Sequence, residues 1–193
     1  LWKASVKKID KEADAKQAER WNQRSEHFGK PRDGSEDRQK KKADGVMKLL
    51  KKAGFKAKGA NVLDIGCGPG ALSIPLAKAG AKVVSFDIAS GMLDRLKETA
   101  KAEKLDITTM EGSWYTADID KLKFRKKFDL VIASMTPAVR DFETFERMMA
   151  CSKGYCYYSN FIKRDMGGNA HQELHKLLGG VPEGGHSHGP KDH

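Results

Sequence analysis

The sequence predicts an α/β fold with a central, mainly parallel sheet and helices on both of its faces. From about residue 60 onward, short apolar segments alternate with amphipathic helical segments, which is the order typical of a parallel sheet. A glycine-rich turn joins the first of these apolar segments to the helical segment after it. We therefore expect one core domain over residues 59–178, preceded by a basic helical segment, residues 1–58, and followed by a tail, residues 179–193.

The periodicity predicts each element in turn. Two helices precede the sheet, over residues 5–28 and about 36–52, and the second should turn Val46, Met47, Leu49 and Leu50 inward. The expected strands are 61–65, 82–86, 106–110, 128–133 and 155–159, and the expected later helices are about 71–79, 89–101, 141–151 and 169–178. The tail is rich in glycine, histidine and proline, so we expect it to be mobile.

The charge is unevenly distributed. The net charge is +10, and residues 1–60 hold 18 Lys/Arg against 9 Asp/Glu, whereas the remaining residues hold 18 against 17. Such asymmetry can indicate a nucleic-acid partner. The segment lacks interleaved aromatic residues and a known nucleic-acid module, so a solvated helical face is the favoured interpretation and nucleic acid the alternative.

The composition favours a cytoplasmic protein without a membrane partner. No run approaches the roughly 20 apolar residues of a membrane helix, and no signal-peptide pattern opens the sequence. The three cysteines give no disulfide framework. One of them, Cys67, lies in the glycine turn, where we interpret it as a small apolar filler and not a nucleophile.

The glycine turn is the most informative segment. Residues 61–70 read Asn-Val-Leu-Asp-Ile-Gly-Cys-Gly-Pro-Gly, and a helical pattern follows at once. A strand, a tight turn and a helix N-terminus in this order form the junction where open α/β sheets bind cofactors. Glycines suit it because they accept positive φ and allow a ligand to approach the backbone.

This segment resembles motif I of the class I S-adenosylmethionine (SAM)-dependent methyltransferases, V-L-D-I-G-C-G-x-G. The resemblance implies a Rossmann-like core, SAM as methyl donor and S-adenosylhomocysteine (SAH) as product. The spacing Gly66-x-Gly68-x-x-Ala71 also fits the looser dinucleotide pattern, which leaves NAD or FAD as an alternative. Asp64 favours SAM, because an NAD-binding strand is usually wholly apolar there. Pro69 favours it too, because it lacks an N–H that a pyrophosphate would use.

The resemblance also implies a set of SAM-contacting residues. Asp87 would accept hydrogen bonds from the ribose hydroxyls, and Ile88 and Met92 would pack on the adenine. Ser113 stands where the family often has an acid that reaches the adenine amino group, and Trp114 either stacks on the base or packs in the core. The expected set is Asp64, Gly66, Cys67, Gly68, Gly70, Asp87, Ile88, Met92, Ser113, Trp114, Ala133, Ser134, Trp21 and Arg24.

The loop after the fourth strand bears on the methyl acceptor. It reads Ser134-Met135-Thr136-Pro137, without the Pro-Pro-aromatic signature of DNA and protein amide N-methyltransferases or the Pro-Cys pair of the pyrimidine C5 class. The resemblance therefore implies a small-molecule acceptor. Ser134 and Thr136 either touch the ligands or cap the helix that follows.

The N-terminal segment resembles the part of small-molecule methyltransferases that closes over SAM or its acceptor. It reads Trp21-Asn22-Gln23-Arg24, followed by His27-Phe28. Arg24 either meets the methionine carboxylate or lies in water. No general base stands out, and the candidates by position are His27, Tyr158 and Asn160.

Two further expectations concern the C-terminal part. His171 and His175 have helical spacing, but without a third fixed ligand we expect solvent-exposed histidines and no metal. The family's sheet usually ends in strands six and seven, which the sequence does not show, so we expect a truncated chain. An RNA- or DNA-modifying enzyme and a non-catalytic SAM- or partner-binding module remain as alternative functions.

Overall fold

A computed structural model describes residues 11–25 and 35–160 of the chain. Two helices come first, α1 (Lys11–Ser25) and α2 (Ser35–Lys52). The strands are β1 (Asn61–Ile65), β2 (Lys82–Asp87), β3 (Ile107–Glu111), β4 (Phe128–Ser134) and β5 (Ser152–Ser159). The helices between them are α3 (Ser73–Lys78), α4 (Ser90–Glu103) and α5 (Phe142–Cys151).

The strands form one parallel sheet in the order β3-β2-β1-β4-β5. This confirms the expected α/β fold. Strand order reverses at β1, because β2 pairs with one of its edges and β4 with the other. Loops leaving two such neighbours diverge and open a crevice at the carboxyl ends of the strands. The expected helix 169–178 and tail 179–193 lie outside the described residues.

The central strands are buried on both faces, as in other parallel sheets covered by helices. Successive side chains of a strand point to opposite faces, so Val62 and Leu63 enter different parts of the core. Val62 packs in a cluster with Leu50 of α2 and Leu76 of α3. Leu63 packs in a second cluster with Met148 of α5. Helices on both faces therefore hold β1 and its neighbours rigidly under the crevice.

Two expectations about these elements are wrong. Leu49 of α2 is 53% exposed, because the buried stripe of this helix runs through Ala43 and Leu50 and leaves Leu49 outside it. Strand β5 begins at Ser152, not residue 155, because α5 ends at Cys151 and Ser152 pairs directly with Phe128.

Helix α5 is capped by Asp141 and not by Ser134 or Thr136. The Asp141 carboxylate accepts a hydrogen bond from Thr144 N at 2.8 Å, and the Thr144 hydroxyl completes a capping box. The helix begins at Phe142, so residues 134–136 lie too far from its first turn to cap it. Those residues instead form the end of β4 and the loop that follows.

Candidate functional site

A cavity of about 220 Å³ opens at the carboxyl ends of β1, β2, β3 and β4. Nine of the fourteen residues expected to contact SAM line it, namely Trp21, Gly66, Cys67, Gly68, Asp87, Ile88, Met92, Ser113 and Trp114. The structure therefore brings these nine residues together around one space, and the other five, Asp64, Gly70, Ala133, Ser134 and Arg24, do not line it. The lining also includes Gln17, Pro69, Ala71, Phe86, Gly112, Tyr115, Met135, Thr136, Pro137 and Ala138.

The glycines of the turn after β1 have different roles. Gly66, Gly68 and Gly70 all have positive φ, at +65°, +54° and +94°. A Cβ on Gly66 would overlap the Thr136 hydroxyl, and one on Gly70 would overlap Leu96. At Gly68 a Cβ would meet no atom within 4 Å. Gly68 is therefore where the backbone lies open to a ligand, while Gly70, which does not line the cavity, allows close packing.

Asp64 lies beneath the glycine turn and not in the cavity wall. Its Oδ2 accepts a hydrogen bond from Ser73 Oγ at 2.7 Å, and Ser73 Oγ lies 2.8 Å from Ser85 Oγ. Burial raises the pKa of Asp64 to about 6, and the nearby charge of Asp87 adds to the rise. The carboxyl group links β1, α3 and β2 under the turn.

Asp87 ends β2 and faces both the cavity and the glycine turn. Its Oδ2 accepts from Gly68 N at 2.8 Å, and its Oδ1 accepts from Ala89 N at 2.9 Å. Burial raises its pKa, and the backbone donors oppose that rise. A carboxylate has about four acceptor sites, so hydroxyl groups of a ligand could bond the same side chain.

The segment after β3 forms the opposite wall. Ser113 Oγ accepts from Tyr115 N at 3.3 Å. Trp114 is 2% exposed, its Nε1 donates to Thr144 O, and its ring meets the Phe86 ring edge-on at 5.6 Å. The indole is therefore a core residue that also borders the cavity.

Cys67 is buried, and its thiol donates to Gly68 O at 3.4 Å. Burial raises the pKa of this thiol well above its usual value, with the charges of Asp64 and Asp87 contributing. The protonated thiol agrees with the interpretation of Cys67 as a filler.

Helix α1 reaches the cavity with Gln17 and Trp21, which lie one turn apart. The Arg24 guanidinium lies over the Trp21 ring, 5.0 Å from its centroid, and Arg24 is exposed and does not line the cavity. The contact of Arg24 with the methionine carboxylate thus finds no support in this arrangement. Gln17 was missed from the sequence, although its spacing from Trp21 was the signal that could have found it.

The end of β4 contributes fewer residues to the cavity wall than expected, and the loop after β4 contributes more. Ala133 is fully buried and Ser134 Oγ lies 3.0 Å from Ser159 Oγ, so neither lines the cavity. The next four residues, 135–138, do line it. No periodic signal distinguishes these loop residues, because their position depends on the loop conformation.

Two of the three general-base candidates, Tyr158 and Asn160, lie away from the cavity. The Tyr158 hydroxyl donates to Val139 O at 3.0 Å, and Asn160 Nδ2 donates to the Tyr158 oxygen at 3.1 Å. Neither residue lines the cavity, and His27 lies outside the described residues. Within residues 11–25 and 35–160, no group of three or more His, Cys, Asp or Glu side chains could hold a metal ion. His171, His175, His186, His188 and His193 lie outside those residues. In the described part of the chain, no helix is both long enough and apolar enough to cross a membrane.

Comparisons with known proteins agree with this geometry. Residues 62–153 match the family model of a methyltransferase domain. The chain is 39% identical over 75 residues to a ubiquinone biosynthesis O-methyltransferase of Pelagibacter ubique, which covers 39% of this chain and 29% of the relative. It is 41% identical over 76 residues to the cypemycin N-terminal methyltransferase of a Streptomyces species, which covers 39% and 28%. The chain thus spans less than a third of the length of either relative.

Among solved structures, the chain resembles magnesium protoporphyrin IX methyltransferase of Synechocystis PCC 6803 with bound SAH. The TM-score is 0.61 at 22% identity, over 85% of this chain and 78% of that one. This likeness shows the fold, and the family model shows the domain. Residues 62–153 of the chain therefore match a methyltransferase domain, and the chain shares its fold with this methyltransferase structure.

Proposed function

We propose that the protein transfers the methyl group of SAM to a small-molecule acceptor and releases SAH. The observation that carries the proposal is the pairing of Gly68 and Asp87 in one cavity wall. The backbone is open to a ligand at Gly68, and the Asp87 carboxylate lies within hydrogen-bond distance of Gly68 N. SAM is a nucleoside joined to an amino acid, and each of its halves would contact one of these two neighbouring surfaces.

The nucleoside half would lie along the end of β2 and the start of α4. Asp87 would accept from the ribose hydroxyls, and Ile88 and Met92 would pack against the adenine. Ser113 offers a hydroxyl group toward the base in place of the acid common in the family. The methionine half would lie over the glycine turn, next to Cys67 and Gly68.

The protein itself needs to contribute little covalent chemistry to the reaction. The acceptor atom attacks the methyl carbon in line with the breaking C–S bond, whose electron pair remains on sulfur. The protein must position the two reactants and exclude water. The aromatic and thioether side chains of Trp21, Tyr115 and Met135 suit that role, and aromatic faces also attract a cationic sulfonium.

Calorimetry with SAH tests the donor site. Wild-type protein should bind SAH and show no comparable affinity for NAD⁺. Asp87→Asn keeps the side-chain shape but removes the charge, and should weaken SAH binding by about 1–3 kcal/mol, the cost of a lost charged hydrogen bond. The control is Asp94→Asn, because Asp94 is an exposed acid that pairs with Lys97 on the surface of α4. Equal SAH affinity in the Asp87 variant and the control would contradict the assignment.

Turnover assays test the acceptor class. Small phenols, thiols and amines are offered with SAM, and SAH release is measured. Turnover of one of these classes supports the proposal, whereas methylation of mixed RNA alone would favour the nucleic-acid alternative. SAH binding without turnover of any acceptor would favour a non-catalytic SAM-binding module.

We also propose a cytoplasmic location. All three cysteines are unpaired thiols, and Cys67 and Cys151 are buried. Reduced thiols of this kind are usual in the cytoplasm. Cell fractionation of the tagged protein measures the location directly.

A further inference from the structure

Met135 lies in the cavity wall with its backbone in the left-handed region, at φ +54°. This conformation brings the Cβ of an L-residue too close to the following carbonyl oxygen, so glycine and asparagine favour it and methionine does not. Among the described residues, three other non-glycine residues share it, namely Lys104, Lys123 and Lys126. Those lysines are exposed and do not line the cavity, whereas Met135 is half-buried in it.

Contacts with Ser159 of β5 hold Met135 in this conformation. Its N–H donates to Ser159 O at 2.7 Å, and the hydroxyls of Ser134 and Ser159 lie 3.0 Å apart. These bonds fix the start of the loop to Ser159 of β5, which lies 25 positions after Ser134 in the sequence. A strained residue persists only when its surroundings over-determine it.

The rest of the loop is held as firmly. The Tyr115 hydroxyl donates to Pro137 O at 3.0 Å, and the Tyr158 hydroxyl donates to Val139 O at 3.0 Å. Thr136 is 5% exposed, and its hydroxyl accepts from Ala138 N at 3.2 Å. The loop from Ser134 to Val139 is therefore a rigid part of the wall.

The loop also lies directly beside the proposed methionine site. Thr136 packs so closely on Gly66 that a Cβ on the glycine would overlap its hydroxyl. Strands β1 and β4 are neighbours, so the loops that leave them share one edge of the crevice. Met135, which precedes Thr136, therefore lines the cavity next to the turn that would hold the methionine half of SAM, and Tyr115 lines the same cavity.

We propose that Met135 is a specificity-determining residue, whose side chain bounds the space shared by the transferred methyl group and the acceptor atom. The left-handed backbone directs this side chain into the cavity. A flexible, polarizable thioether favours an acceptor with an apolar surface around its reacting atom. The inference rests on the proposed function, because it takes SAM to be the donor.

SAM analogues with a larger group on sulfur test this inference without knowledge of the acceptor. Met135→Gly and Met135→Ala both remove the side chain. Each should bind the S-propargyl and S-benzyl analogues about tenfold more tightly than wild type, because the removed bulk leaves room for the added group. SAH carries no such group, and its affinity should stay within about twofold of wild type.

Comparing the two variants also separates the effect of losing the side chain from the effect of the backbone conformation. Alanine normally stabilises a protein more than glycine, but at positive φ the order reverses. Met135→Gly should therefore melt about 2–4 °C higher than Met135→Ala. The control pair is Lys104→Gly and Lys104→Ala at the end of α4, where φ is +53°. This pair should show the same melting difference and no change in analogue affinity.

Two outcomes would overturn the inference. Normal SAH binding together with unchanged affinity for the bulky analogues in both Met135 variants would show that Met135 does not bound this space. If wild-type protein does not bind SAH at all, the proposed function fails, and the inference fails with it. The two failures are distinguished by SAH binding to wild type.

Discussion

At the scale of single residues, Asp64 departs most from expectation, because its carboxyl group does not line the cavity. It is buried under the glycine turn, with Ser73 as its hydrogen-bond donor. Its pKa rises from 3.8 to about 6 on folding. Between these values the folded protein binds more protons than the unfolded chain, so this group makes stability fall as pH rises from about 4 to about 6. Above pH 6 its contribution is constant, at a cost of roughly 3 kcal/mol.

We expect Asp64→Asn to remove this pH dependence. The amide oxygen can still accept from Ser73, and it carries no charge to bury. Relative to wild type, the variant should gain roughly 3 kcal/mol of stability between pH 4 and pH 7, measured by denaturant unfolding at each pH. Asp87 titrates in both proteins, so its own contribution largely cancels in the comparison, apart from its charge coupling to Asp64. A difference between the two proteins that does not change with pH would contradict the assigned pKa.

We expect alanine substitutions at Gly68 and Gly66 to differ in their effects on stability. Gly68→Ala should cost the fold only the left-handed strain of about 1–2 kcal/mol, because its Cβ meets no protein atom. The same Cβ would project where the donor approaches, so SAH affinity should fall. Gly66→Ala should destabilise the fold more, because its Cβ would overlap Thr136. Unfolding curves and SAH calorimetry on both variants measure the contrast, and equal stability losses would contradict it.

At the scale of elements, α1 supplies the side-chain cap for the N-terminus of α4. Ala89 precedes α4 and gives no side-chain cap, but Asn22 Oδ1 accepts from Gly91 N at 3.0 Å. A Cβ on Gly91 would overlap Ser25 Oγ, so the two helices are in close contact there. Trp21 precedes Asn22 and lines the cavity. The cap therefore holds this part of the cavity wall against the segment that follows Asp87.

Asn22→Ala should cost about 0.5–2 kcal/mol of stability, the usual loss for a helix cap, and should weaken SAH binding as Trp21 moves away. Asn22→Asp keeps an acceptor at the positive end of α4 and should restore both properties. The control is Gln23→Ala, an exposed position whose side chain bonds Glu19 on the same helix. If Asn22→Ala retains the SAH affinity of the control, α1 does not contribute to the donor site.

The sequence predicted the strands of the sheet well where burial alone decides them. The apolar run at Asn61–Ile65 has the predicted bounds, because both of its faces must be covered. Strand β5 began earlier than predicted, since Ser152 is held by pairing with β4 and not by its own pattern. Met135 was missed as a wall residue for a similar reason. Its conformation depends on Ser159, which is distant in sequence and has no local signature.

At the scale of the whole molecule, the cavity and the basic surface of α2 are separate. Among the residues that the structure describes, no Lys or Arg lines the cavity. Lys40, Lys41 and Lys42 are exposed on α2, in the segment that holds most of the net charge. A nucleic-acid substrate would need that surface to grip its phosphates, whereas a small acceptor would not.

Replacing Lys40, Lys41 and Lys42 with glutamine tests this separation. Nonspecific RNA binding depends on released counterions, so any binding of mixed RNA by the wild type should weaken steeply as salt rises. The triple variant should show a smaller dependence of RNA affinity on salt. SAH affinity and turnover of a small acceptor should be unchanged, since α2 contributes no residue to the cavity. Filter binding across a salt series and SAH release assays measure both properties. Loss of methyl transfer in the triple variant, with SAH binding intact, would instead assign the basic surface to the acceptor and favour a nucleic-acid substrate.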